Sequence, residues 1–464
     1  MRPEIHWSRG SVAAVVASWS IVIAIIGTIL LSAGGFTYTG DVDGTGGRTA
    51  AFILLGVAVI PAFVASIRLN VPRWLAVVAG ALSLVLPTLL WFLVTSGRDT
   101  TAWSVYGGLQ VLRGKEPFSD LSDVLVALAD GGASGYANYA SAVAWIEPLT
   151  LGLVPGVGRD ALGLFLVALM ATGIWGLARF SAPLTRLALL IVSAGSAWLL
   201  LLDRGNLDAA LFLVPLAGVL LTRWRSTWVT WAVVAVLIWF VGAWKFYPFA
   251  LGIMLLGAWR VRGGKLVIAG FLAASLGYAA WAWDEFQRSA QVYSTFTVLT
   301  DFPALGRLPI TVRLIGDGTI VPSDTWATFI LALLVVAGLG WGVLLGRRLA
   351  PAPWEVHLAL PGSTVFLIVA MVGGFGFAYK VVPLLLVLPL LGAAFAQGGR
   401  FGIYSGLVVT ALIVIPVVVS YGILLTSLAS ILAASVGLGA ALAALGRLTY
   451  PQWRFFTTAS AQNL

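Results

Sequence analysis

"VAAVVASWSIVIAIIGTILL", residues 12–31, is an unbroken apolar run that follows Arg2 and Arg9. Basic residues ahead of an apolar core also mark a secretory signal, but this run is long enough to cross about 30 Å of hydrocarbon. It reads as a retained first membrane helix. The rest of the chain has the same character: 60% of residues are hydrophobic, only 10% are charged, and the mean hydropathy is +1.00. A soluble domain must dress its surface with charge, so the composition predicts an all-α polytopic membrane protein, a single integral membrane domain over 1–464.

Further runs of near-spanning length fall at about 50–67, 74–96, 160–178, 186–202, 207–222, 227–243, 246–258, 266–283, 325–346, 357–375, 380–398, 402–422 and 424–446, the first extending over 11–33. The stretch 246–258 is short for an α-helical span, and the last two can form one bent helix. The expected bundle therefore has about 12 to 14 transmembrane helices. With both termini cytoplasmic, the groups Arg68/Arg73, Arg179/Arg186, Arg223/Arg225, Arg260/Arg262/Lys265, Arg347/Arg348, Arg400 and Arg447/Arg454 all fall inside, as positive-inside orientation requires. The segment 140–155, with Glu147 and Pro148, then stays outside as a re-entrant or interfacial helix. Two outer loops are long enough to fold, 97–159 with surface or re-entrant helices and 284–324.

On this topology every one of the 18 carboxylates except Glu4 and Glu355 lies outside. Acids contribute little to orientation, so the skew exceeds what orientation needs and points to chemistry at the outer face. The formal charge of +9 does not indicate nucleic acid, because the basic residues sit in short loops between spans. Cysteine is absent, which removes disulfides, thiolate metal sites and a cysteine nucleophile. The two histidines, His6 and His357, both fall inside, so a proton acceptor outside must be a carboxylate. No cofactor is expected; a metal there would have oxygen ligands only, as Mg²⁺, Mn²⁺ or Ca²⁺ accept.

Several polar residues stand where spans meet the outer surface. Lys245, in "GAWKFYP", and Lys380, in "FAYKVVP", each sit between apolar runs and either snorkel to the interface or grip a ligand. The turn "LLDRGNLDAALF" gathers Asp203, Arg204, Asn206 and Asp208; Asn and Asp cap the next helix, and with Arg204 they suit phosphate or sugar hydroxyls. Asp99 opens the first large loop at the mouth of a span, ahead of a surface helix around Tyr106. Trp103, Trp145, Trp281 and Trp283 lie near the outer interface, as belt residues or as platforms for sugar rings.

These pieces fall in a recognisable order: Asp99 ahead of Val105-Tyr106, "LRGKEPF" closing at Phe118, Tyr139 ahead of "EPLTLGLVP", Gly205-Asn206-Leu207-Asp208, and Lys245-Phe246-Tyr247-Pro248. The order, over roughly 97–260, resembles the GT-C superfamily of membrane glycosyltransferases, specifically glycosyltransferase family 87, which includes polyprenyl-phosphate-mannose-dependent mannosyltransferases of actinobacteria. The chain departs from the family pattern at Ala140-Ser141, where a Pro-Pro pair is usual, and in two additional spans before the loop.

The resemblance implies a GT-C-like bundle in the plasma membrane with its active site extracytoplasmic. Its partners would be a polyprenyl-phosphate sugar donor, a glycolipid or glycan acceptor and membrane lipids. It implies inverting transfer of mannose, or of arabinofuranose, with Asp99 as base and Asp41 and Asp43 as alternatives. Lys245, Arg204 and Arg313 would bind the donor phosphate, and Asn206, Asp208, Tyr106, Tyr139, Glu147 and Lys380 would contact sugar or acceptor. One rival reading is a transporter or flippase of a lipid-linked or anionic solute, which calls for ionisable groups near the midplane. Another is a non-catalytic partner of envelope enzymes.

Overall fold

The computed structural model describes residues 155–192, 197–198, 201–202, 205–224, 226–284, 324–372, 378–397, 399–419 and 424–447. These residues are 92% helical and contain no strand, so the all-α class holds for them. In chain order they form α1 (Pro155–Phe180), α2 (Pro183–Val192), a 3-10 turn (Leu207–Ala209) running into α3 (Ala210–Trp224), and α4 (Trp228–Lys245). A first 3-10 helix (Tyr247–Arg260) precedes α5 (Gly264–Trp281), α6 (Asp324–Gly346) and α7 (Pro353–Val372). A second 3-10 helix (Ala378–Val387) then continues into α8 (Leu388–Gln397), followed by α9 (Gly399–Val419) and α10 (Leu424–Arg447).

Seven helical stretches among the described residues are long and apolar enough to cross a membrane. They match seven of the eight runs expected from 227 onward, the exception being 246–258, and α9 and α10 are separate helices rather than one bent one. The short stretch 246–258 is explained by its conformation. A 3-10 helix rises about 2.0 Å per residue, so its 14 residues reach about 28 Å. The neighbouring α4 needs 18 residues for about 27 Å. Extension makes the shorter segment equal in reach to its neighbour.

Lipid tails are as apolar as leucine, so close backbone packing rather than water expulsion must join helices inside the bilayer. The seam between α6 and α10 shows how. Gly338, Gly342 and Gly346 form a small-residue stripe at four-residue spacing that meets Ser435, Gly439 and Ala443 of α10, the two helices running parallel. A Cβ on Gly342 would lie 2.2 Å from the Val436 carbonyl oxygen, and one on Gly439 would lie 2.4 Å from that of Leu339. α7 occupies the middle of the bundle, packed against α10, α3 and both 3-10 helices. Burial follows this layout: 83% of the Lys380–Gln397 window is enclosed, against 17% of Gly264–Trp281, where Leu266, Leu276 and Trp281 face outward.

The charged residues discussed here collect at the two ends of the bundle. α3 runs from Asp208 to Arg223, and α4 returns from Trp228 to Lys245. At the Arg223 end, Trp231 meets the His357 ring at a centroid distance of 5.7 Å, and Arg348 lies 4.5 Å from the Phe401 ring. Arg447 donates to the Arg347 carbonyl there, tying the ends of α10 and α6. The same end holds Glu355, whose role is local: its Oε2 accepts the Ala352 N–H at 2.8 Å, half of a capping box for α7. His357 thus lies at the opposite end of the bundle from Lys245, and His6 lies outside the described residues.

Candidate functional site

At the other end of the bundle, three regions distant in sequence, around 206–208, 245–247 and 380, converge on one carboxylate. Gly205, with φ of 60°, turns the chain after a helical end by donating its N–H to Leu202 O, a step that favours glycine. Asn206 then adopts an extended conformation and caps the 3-10 turn, its Oδ1 accepting the Asp208 N–H at 2.8 Å. This cap turns the Asp208 side chain into the bundle, where it is 3% exposed.

Lys245, the last residue of α4, donates to Asp208 Oδ1 at 2.8 Å and to Asn206 Oδ1 at 3.1 Å. Tyr247, the first residue of the first 3-10 helix, donates its hydroxyl to the same Oδ1. Lys380 arrives from the second 3-10 helix, its ammonium 5.6 Å from the centre of the Tyr247 ring, within cation–π range. Lys380 is buried, and the side chain of Lys245 is 9% exposed, so both turn inward to protein partners rather than outward.

Asp208 lies in the turn ahead of α3, outside the seven spans. The charge of Lys245 and the hydrogen bonds from Lys245 and Tyr247 compensate the burial of its carboxylate. An ionised carboxylate only accepts hydrogen bonds. Oδ1 receives two donors, whereas Oδ2 is buried and has no hydrogen-bond partner among the described residues. A buried acceptor left open costs about 1–3 kcal/mol. The arrangement gathers two ammonium groups, a phenol and a carboxylate in one buried polar cluster at this end of the bundle.

An aromatic wall supports these groups. Tyr278 of α5 donates to Ala243 O at 2.8 Å, capping a carbonyl in the last turn of α4, and its ring packs against Trp239, Phe246, Phe249 and Trp281. Trp281 and Trp283, exposed by 70% and 52%, face outward as belt residues do.

The structure brings together Asn206, Asp208, Lys245 and Lys380 of the residues expected from the sequence and adds Tyr247 and Tyr278 to them. Asp41, Asp43, Asp99, Tyr106, Tyr139, Glu147, Arg204 and Arg313 lie outside the described residues, as do Trp103 and Trp145. Tyr247 was quoted in the piece Lys245-Phe246-Tyr247-Pro248 without a role of its own, and the one signal for it was its place two residues after Lys245. Comparison with known proteins finds no match. No family model fits the chain, and neither a curated protein nor a solved structure is similar to it. The family-87 likeness therefore stands on the ordered motifs alone.

Tyr247→Phe keeps the ring under Lys380 and removes one donor from Asp208. The expected loss is about 1.5–3 kcal/mol, the usual contribution of a hydrogen bond to a charged group. Thermal unfolding in detergent, compared with wild type, measures it.

Proposed function

We propose that the protein is a membrane glycosyltransferase. It moves a sugar, mannose or alternatively arabinofuranose, from a polyprenyl-phosphate donor to a lipid-linked or cell-envelope glycan acceptor at the extracytoplasmic surface, with inversion. The observation that carries this reading is the buried Asp208 cluster, which gathers Lys245, Lys380 and Tyr247 around one carboxylate at a single end of the bundle, the groups that recognition of a sugar phosphate calls for. Lys245 closes a span and Lys380 opens one, so the ionisable groups sit at span ends and not at the midplane. That placement favours reaction at the surface over passage of a solute through the bundle.

In the proposed reaction the acceptor hydroxyl oxygen bonds to the anomeric carbon as the bond from that carbon to the phosphate oxygen breaks. The departing group is already an anionic phosphate, so cations stabilise it and no general acid is required. The acceptor proton passes to a carboxylate. Asp208 is committed to Lys245 and Tyr247, and the base is assigned to Asp99, with Asp41 and Asp43 as alternatives.

The test is purified protein in lipid nanodiscs with a panel of polyprenyl-phosphate sugars. One donor is expected to support transfer, and Asp99→Asn is expected to lower turnover by about 10²–10⁴ while donor binding persists. Full activity in that variant moves the base elsewhere. No transfer with any donor, alongside vectorial solute flux in liposomes, would replace the enzyme with a transporter.

A further inference from the structure

Phe246 is the one non-glycine residue with positive φ among the described residues. Its φ of 63° and ψ of −55° fall in the strained γ-turn region, which side chains seldom occupy. It stands between Lys245 and Tyr247, at the junction of α4 with the first 3-10 helix. Had the helix continued, successive side chains would turn by about 100°, and residues 245 and 247 would point to nearly opposite sides. The reversal at Phe246 instead sends both to Oδ1 of Asp208. The strained residue is held on both flanks, its N–H on Gly242 O at 2.7 Å and its carbonyl receiving the Phe249 N–H at 3.0 Å. Its ring lies 5.8 Å from that of Tyr278. Gly242, which accepts the Phe246 N–H, also makes room for the Phe249 ring, since a Cβ there would lie 2.5 Å from it.

Strain of this kind persists where surrounding contacts over-determine it, and it collects at sites where it sets geometry. We propose that Phe246 is a positioning residue: its strained turn, rather than its ring, places the Lys245 ammonium and the Tyr247 hydroxyl where the donor phosphate is gripped. The phosphate part rests on the glycosyltransferase reading; the placement of Lys245 does not.

Two variants separate backbone from ring. Phe246→Gly removes the ring and adopts positive φ freely, whereas Phe246→Ile keeps apolar bulk but resists that conformation. Acylation of Lys245 by a water-soluble reagent, followed by mass spectrometry on protein in nanodiscs, reports whether the ammonium stays on Asp208. The Ile variant is expected to label about tenfold faster than wild type and to raise the donor KM about tenfold with kcat nearly unchanged. The Gly variant is expected to stay close to wild type in both. Equal labelling of Ile and wild type, or faster labelling of Gly than of Ile, overturns the proposal. If the Ile variant does not fold, Phe246→Ala replaces it: neither Ala nor Gly has a ring, and Ala must label faster than Gly. Absence of transfer by wild type sinks the glycosyltransferase reading, and the labelling order still decides the placement.

Discussion

Lys245→Met is expected to cost about 3–5 kcal/mol of stability, because it strips the partner from a carboxylate that is only 3% exposed. Lys380 also draws on Asp208, so the lower end of that range is expected. The informative comparison is the double variant Lys245→Met/Asp208→Leu. Replacing both members of a buried ion pair with apolar groups is often neutral, and the double variant should regain most of the lost stability. It should not regain function: removing one preorganised group that stabilises developing charge typically lowers turnover by about 10²–10³. Unfolding midpoints and donor-dependent transfer on the two variants and wild type measure both effects. A double variant that is folded and fully active would show the pair to be structural.

Gly342→Leu should unfold or severely loosen the bundle, with a loss of at least about 3 kcal/mol, at the upper end for overpacking. The reason is the contact itself. The first added carbon would sit 2.2 Å from a backbone carbonyl of α10, which no rotamer can relieve, so the helices must part along the whole stripe. Gly340 supplies the control two residues away. A Cβ there meets nothing within 4 Å, and Gly340→Leu should change stability by no more than about 0.5 kcal/mol. Thermal unfolding of the two variants in one detergent tests the difference, and similar midpoints would mean that the α6–α10 seam carries little of the stability.

Much of the bundle is legible in the chain because apolar run length is a one-dimensional property. Trp228–Lys245, Gly399–Val417 and Leu428–Arg447 follow directly from it, and the gathering of Arg223, Arg260, Arg347 and Arg447 at one end follows from the alternation of those runs. The stripe at 338, 342 and 346 took on meaning only with the packed helices, since a spacing of four does not say which helix it meets. The 3-10 conformation of Tyr247–Arg260 was hidden, since hydropathy does not distinguish 14 residues at a steep rise from a span too short to cross.

The candidate site divides the same way. Residue type and position at a span end were enough to mark Asn206, Asp208, Lys245 and Lys380 as polar groups in costly surroundings. Whether each lysine reaches for water or turns inward depends on where a counter-charge stands in space, and Asp208 lies 37 residues from Lys245 along the chain. No local pattern carries that pairing. The convergence on Asp208, the donor from Tyr247 and the strained turn at Phe246 exist only once α3, α4 and the two 3-10 helices pack, because packing alone brings those ends together and makes a buried charge require a partner.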